Sequence, residues 1–396
     1  MPDQALNEVD HSTESEQVSP AQFNLFTGAA ELIPVEIPEP EEAGREIRID
    51  EGISLVKSED GSQLILSGFG LFLSKKSERL LVRKGTQVIY QFPFFRLNEV
   101  VVGSKGITLS SDLLEEVCLR GIRLSFLDRS GKPYAMVTSP MLTATVQARR
   151  EQILAFTDKR GLEFSKAVVL GKIKNQERLL RYFGKYLKKQ AEDRFVRIEA
   201  IAAQLRNLWK KVPAIDGGSV NEARGALMGT EGTAGRIYWQ AVEEIIGHRV
   251  EFFGREHRGA TDAANSLLNY GYGILYSQVW GAVLNAGLEP FAGFLHVDRP
   301  GKPSLVLDLV EEFRQPVVDR TVIAYVNLGT SVGMKDGLLD ADTRKGIGDK
   351  IVERLVATEM YHGKQYQIRS IIQMQARRLA GFLRGEGEYK AFSFKW

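Results

Sequence analysis

The sequence predicts an α+β multidomain protein, a small β part followed by a larger helical part, and three observations predict it. Between about 48 and 139, short β-branched runs alternate with turn residues; beyond Ser139-Pro140, apolar residues recur at spacings of three and four; the acidic opening of the chain has neither pattern. Residues 1 to about 47 are rich in Asp, Glu, Pro, Ser and Gln and hold a single Lys or Arg, Arg45, the composition of a disordered extension.

The β part, 48–139, is built from the runs Gly52–Lys57, Gln63–Ser67, Arg79–Arg83, Gln87–Gln91 and Val100–Val102, with turns at Asp60-Gly61 and Lys84-Gly85. Ser111–Leu119 alone reads as helix there. Ile122–Leu127 and Tyr134–Val137 then flank the turn Asp128–Lys132 as a hairpin, so a mostly antiparallel β domain is expected. The helical part, 140–390, has periodic segments at about 142–157, 162–187, 190–210, 231–247 and 261–287, and two more at about 345–360 and 365–383 before a basic tail.

Composition narrows the function. The 396 residues carry a net charge of +2 and 43% hydrophobic residues, ordinary for a globular protein. Cys118 is the only cysteine, which rules out an intrachain disulfide and a Cys-ligated zinc site. No apolar run approaches the roughly 20 residues of a membrane span, and the start lacks the regions of a signal peptide; a cytoplasmic protein is expected. From Arg149 to Lys211 there are 17 Lys and Arg against 7 Asp and Glu. That bias suits a polyanion as partner, the alternative being the solvated face of long helices.

Gly225, Gly229, Gly232 and Gly235 resemble a phosphate loop, but no Gly-Lys-Ser/Thr follows and no strand precedes them. Gly271-Tyr-Gly273 sits in a helical pattern and reads as a close helix contact. On a helical wheel, Ala234, Tyr238, Ala241, Val242 and Ile245 share one face with Glu231. A carboxylate on an apolar stripe is costly unless compensated. Either Thr230 caps a helix and Glu231 complements its dipole, or Glu231 faces a ligand. Gly232 and Gly235 lower helix propensity, which suggests close approach of another backbone or a ligand.

The segment Ser304–Gln315 forms a second amphipathic helix whose Asp308 and Glu311, three apart, repel unless a cation or base lies near. His296, between Leu295 and Val297, precedes the turn into that helix; it is either a core histidine or a ligand. Together, one imidazole and two or three carboxylates form a nitrogen and oxygen donor set that suits magnesium or manganese.

Four motifs, in order, resemble the CRISPR-associated adaptation endonuclease and integrase family, the "Cas one" protein: Glu-Gly-x-x-x-Arg-x-Tyr-Trp over 231–239, the run from Asn265 to Tyr276, Gly293-Phe-Leu-His296, and Ser304 to Arg314. Gly121 to Gly131 in the β part looks like it too, and the resemblance spans about 50 to 390. It implies an N-terminal β-sandwich-like domain, a C-terminal all-α helical domain, a homodimer, and a small partner, the second CRISPR-associated adaptation protein. It implies a Mg2+ or Mn2+ ion on Glu231, His296 and Glu311, with Asp308 as a supporting acid. The expected reaction is attack of a spacer 3′-hydroxyl on a phosphodiester of the CRISPR repeat, with double-stranded DNA as substrate. Arg236, Lys302 and Arg314 are candidate phosphate contacts or salt-bridge partners. Two rival readings use the same residues: a metal-dependent nuclease on branched DNA in repair, and a catalytically silent DNA-binding scaffold. The family pattern does not include the acidic extension.

Overall fold

A computed structural model describes residues 46–395, apart from Glu51, 59–60, 129–132, 138–144, 189–190, His248, 257–259 and Asp336. All but the end of the expected acidic extension, most of the Asp128–Lys132 turn and the Ser139-Pro140 junction lie outside the described residues. Mixed α and β structure is present in the expected order, strands first and helices after.

Two sheets form the β part. The larger contains β1 (Glu46–Asp50), β2 (Ile53–Ser58), β3 (Gly61–Leu66), β7 (Leu97–Val102), β9 (Arg123–Leu127) and β10 (Pro133–Val137) in the order β1-β2-β3-β7-β9-β10. The smaller has the order β6-β5-β4-β8, from β4 (Leu71–Lys76), β5 (Arg79–Lys84), β6 (Gln87–Pro93) and β8 (Thr108–Leu109). Leu64, Val100 and Leu124 of one sheet share a buried core with Leu73, Leu80 and Val82 of the other. Adjacent strands are mostly antiparallel, but the centre of the large sheet is not: β3 pairs parallel with β7, and β7 with β9. Parallel neighbours require a crossover. The first crossover is the excursion that builds β4 to β6; the second carries α1 (Ser111–Leu119), whose Leu113 and Val117 are buried in the same core.

The helical part contains α2 (Thr145–Ala155), α3 (Lys159–Leu187), α4 (Glu192–Lys211), α5 (Val220–Ile246) and α6 (Ala263–Asn285). After a long loop come α7 (Ser304–Val310), a π-helical segment (Arg314–Asp319), α8 (Arg320–Asn327), α9 (Ala341–Val356) and α10 (Ile368–Leu383). It is not purely helical: β11 (Met334–Lys335) pairs with β12 (Leu338–Leu339), and β13 (Thr358–Tyr361) with β14 (Lys364–Gln367). The second hairpin occupies residues read as helix ends, because Gly363 at φ 82° and His362 at φ 48° make a turn that a helix cannot follow.

Pro316 explains the break after α7. It has no N–H for the carbonyl of Glu312, four residues back, so the α-helical ladder cannot continue. Asn175 of α3 donates to that carbonyl instead, at 2.9 Å. The chain widens into π turns, a deformation that often accompanies functional sites. Gly271 of α6 is the close helix contact expected from sequence: a Cβ there would lie 2.8 Å from Val318 in the π segment. The two parts of the molecule meet where Gln278 of α6 donates to buried Glu99 of β7, 3.1 Å away. Among the described residues, no helix is long and apolar enough to cross a membrane.

Candidate active site

Glu231 projects from the middle of α5, whose Ala234, Tyr238, Ala241, Val242 and Ile245 are all buried, so the wheel drawn from sequence holds. The capping reading does not. The helix begins at Val220, and Thr230, well inside it, hydrogen-bonds the Ala226 carbonyl at 2.8 Å. A backbone neighbour is likewise missing at the glycines. Among the described residues, added Cβ atoms on Gly225, Gly229, Gly232 and Gly235 would meet nothing within 4 Å, so these positions face open space; of the four, Gly235, one turn on, lies on the Glu231 side of the helix.

The compensation that Glu231 requires comes from α3. The Lys172 ammonium contacts Glu231 Oε1 and lies 2.6 Å from Glu311 Oε2, drawing together acids from α5 and from the end of α7. Arg314 Nη1 donates to both oxygens of Glu311 at 2.9 and 3.2 Å. Burial pushes the Glu311 carboxyl up, but Arg314, Lys172 and the nearby His296 together hold it down at about 2. Lys172 is also buried; loss of solvent disfavours its charge, and the two carboxylates more than restore it.

Asp308 does different work. Fully buried, it accepts the backbone N–H groups of Phe294, Leu295 and His296 at 2.7, 3.0 and 2.9 Å, and lies 2.7 Å from His296 Nδ1. An ionised Asp308 places the imidazole proton on Nδ1 and leaves the lone pair on Nε2, the arrangement of a metal-ligating histidine with its carboxylate support. So the two acids three residues apart do not face one another: Asp308 turns to the loop and Glu311 to the cations. The loop is held from its other side by Gln152 of α2, which bonds the carbonyls of Glu289 and Ala292 and the N–H of Glu289. Gly293 is required by packing, since a Cβ would lie 2.5 Å from the Ser304 backbone.

Glu231 and His296 side chains are 19% and 20% exposed while Glu311 is at 5%, so the site opens to solvent along the first two. Glu312, adjacent in sequence, points away into a closed cluster with Tyr389, Gln375 and the Phe392 N–H. Arg314 is backed by an aromatic ring, its guanidinium lying 4.5 Å over Tyr272, and the Tyr272 and Tyr238 hydroxyls both donate to buried Asp319. Arg236 is exposed and Lys302 half-buried in the turn before α7; neither forms a salt bridge among those found in the described residues. Thus Arg314 joins the acids directly, as a salt-bridge partner, and the other two candidate clamps do not.

Among the described residues, no three His, Cys, Asp or Glu side chains are gathered into a ready metal site. Lys172 instead holds two of the expected ligands around its ammonium. The donor set nevertheless fits a hard divalent ion: two carboxylates from separate helices already converge on one cation, beside an imidazole whose Nδ1 is engaged. Sequence reading missed Lys172, although its signal was the one that marked Glu231. At helical spacing it shares a stripe with Val168, Val169, Leu179 and Phe183, all buried.

A family model described as CRISPR associated protein Cas1 matches residues 64–346. The CRISPR-associated endonuclease Cas1 1 of Francisella tularensis subsp. novicida (strain U112) is 37% identical over 334 residues, 84% of this chain and 99% of that protein. Among solved structures, a casposase bound to integration product has a TM-score of 0.69 at 24% identity, covering 83% of this chain and 92% of that one. A chain of a Cas6-RT-Cas1–Cas2 complex has a TM-score of 0.68 at 20% identity, over 88% of this chain and 37% of that one. Both structural likenesses are likenesses of fold.

Proposed function

Because the chain belongs to the CRISPR-associated Cas1 family, we propose that it is a DNA integrase and endonuclease of CRISPR adaptation that joins the 3′-hydroxyl of a short duplex to a phosphodiester of the CRISPR repeat. The observation that carries this reading is the convergence of Glu231 and Glu311 on one cation beside a histidine fixed by Asp308. Glu231, Glu311 and His296 Nε2 are the donors that would hold a Mg2+ or Mn2+ ion. Such an ion supplies charge stabilisation at the phosphate and acidifies the attacking hydroxyl.

The protein's own residues do the remaining work. Asp308 keeps the Nδ1 proton and the loop backbone in place, so Nε2 presents its lone pair without a rotameric search. Arg314 and Lys172 neutralise the acids until another cation takes their oxygens, which keeps a buried pair of carboxylates from repelling each other. Gly235, one turn from Glu231, adds no side chain on that side of α5, and the basic bias of α3 and α4 supports non-sequence-specific phosphate binding. With water in place of the 3′-hydroxyl, the same groups support strand cleavage. By analogy with the Cas1–Cas2 complex among the structural relatives, we propose a small Cas2-type partner; the homodimer is proposed from the family resemblance alone.

The test is integration of a short 3′-hydroxyl duplex into a repeat-bearing plasmid with Mn2+ and the small partner, comparing the parent with Glu231→Ala and His296→Ala. Joined strands that require both residues, with DNA binding retained in the variants, support the integrase. Strands that are cut and never joined favour the branched-DNA nuclease; bound but unaltered DNA favours the scaffold. Joining that survives both substitutions rejects this active site.

A further inference from the structure

Lys172 and Lys174 are two positions apart on α3, about 200° around the helix, so they serve opposite sides of it. On the side away from the acids lies a cavity of about 460 Å³ between α3 and α4. Lys174, Arg178, Arg181 and Lys185 line it in one row at spacings of four, three and four, facing Arg206 and Trp209 of α4. Its acid is Glu177, and that acid is already committed: it accepts from Arg206 at 2.7 and 2.9 Å and from the Trp209 indole N–H at 2.7 Å. Arg181 adds to the same group and to Glu199, at 3.6 and 3.4 Å.

Three cations remain without a carboxylate within ion-pair distance among the described residues. Lys174 lies 4.7 Å over the Trp209 ring, Lys185 lies 4.5 Å over Tyr182 and 4.7 Å over Tyr186, and Arg178 donates to the Ser393 hydroxyl and the Phe394 carbonyl. Partial burial and the adjacent Arg178 lower the pKa of Lys174, so its charge is less favoured there than in water and an anion would offset the loss. Cations without a carboxylate partner would by themselves describe a phosphate site. The indole beneath Lys174 adds a face for an aromatic base once the ammonium swings to the phosphate, and the volume lies within the range of small-molecule sites.

We propose that this cavity seats one nucleotide of a DNA strand, its phosphate on Lys174, Arg178 and Lys185 and its base against Trp209, at a place separate from the acids. This rests on the DNA reading above. A free nucleoside monophosphate offers the same chemistry and is the second arm of the test.

Binding of a labelled single-stranded oligothymidylate is measured against salt for the parent, Lys174→Glu/Lys185→Glu, Trp209→Leu and Lys335→Glu/Lys364→Glu. The last makes the same charge change at exposed positions elsewhere. The cavity pair should lose affinity roughly tenfold or more and flatten the logarithmic salt slope by about 1.4, two contacts at about 0.7 each for a single strand. Trp209→Leu should weaken binding roughly fivefold to a hundredfold, and iodouracil in the strand should crosslink to Trp209. The control pair should match the parent. Parent-like affinity and slope in the cavity pair, or equal losses in both pairs, overturn the proposal, as do crosslinks confined to other elements. Glu231-dependent joining in the same preparations would leave the integrase reading intact. Thymidine monophosphate that binds the parent and not the cavity pair, with oligothymidylate unaffected, would reassign the cavity to a free nucleotide and overturn the strand assignment.

Discussion

Lys172 sets the resting state of the acids. Its ammonium lies between Glu231 and Glu311, where a divalent ion with those ligands would have to compete with it. Replacing it with Met leaves two carboxylates facing each other with Arg314 as the ion-pair partner of Glu311, and breaking a buried pair in this way should cost about 3 kcal/mol in the absence of metal. Mn2+ should then raise the melting temperature of Lys172→Met more than that of the parent, because no ammonium has to be displaced. Equal shifts in thermal melts with Mn2+ and with chelator would remove Lys172 from the cation position. Glu311 gives a pH signature. Its carboxyl is held at about 2 in the folded protein against 4.5 ordinarily, so on acidification the unfolded chain takes up the proton first. The stabilisation is complete above pH 4.5 and drains away between there and about 2. The stability gap between parent and Glu311→Gln, read from urea denaturation, should therefore be wide at pH 6 and nearly closed at pH 2. A gap independent of pH would mean that the Glu311 ion pairs contribute nothing to stability.

At the scale of elements, the site depends on one loop fitted against one short helix. The loop from 286 to 303 delivers His296, and α7 receives it through Asp308 and through the bare backbone of Gly293. Gly293→Ala places a methyl 2.5 Å from the Ser304 carbonyl carbon, so the loop must lift away from α7. Overpacking of this kind costs about 1 to 3 kcal/mol, and joining should fall far more than stability because the imidazole leaves with the loop. Asp308→Asn is the milder change. It keeps the volume but presents an N–H₂ among donors, so it should loosen the loop in hydrogen exchange and reduce joining while the protein stays folded. Unchanged exchange at residues 294–296 in Asp308→Asn would show that the carboxylate is not what fixes the loop. The pairing of Asp308 with the loop was half visible in the sequence. The spacing of three placed it beside Glu311, yet nothing in a helical wheel says that adjacent acids will turn to different partners, and the three backbone donors that captured Asp308 are visible only once the loop has closed.

At the scale of the whole molecule, what was legible was whatever repeats along the chain. Period-two and period-three-to-four patterns gave the order of sheets and helices, and Ser111–Leu119 came out at its observed ends. Contacts between distant segments carry no such period. The strand Leu71–Lys76 is not among the runs named from sequence, although its Leu71 and Leu73 are fully packed in the β core. The parallel centre of the large sheet was hidden for the same reason, since direction depends on how far the chain travels before it returns. Glu99 is the most consequential of these long-range features. It sits buried on β7, accepts from Gln63 at 2.8 Å, from Arg123 at 3.2 Å and from Gln278 of α6 at 3.1 Å, and so ties the sheet to the helix that packs against α7. Glu99→Ala strands the Arg123 guanidinium, whose side chain is 19% exposed, and frees two amides, at a cost of about 2 to 4 kcal/mol. Because the lost bonds lie on both sides of the junction, hydrogen exchange should quicken in β7 and in α6 together while α3 and α4 keep their protection. Faster exchange confined to β7 would mean that the two parts are joined by apolar contact alone, such as Ile65 against Val352 and Val356, and that Glu99 serves only the sheet.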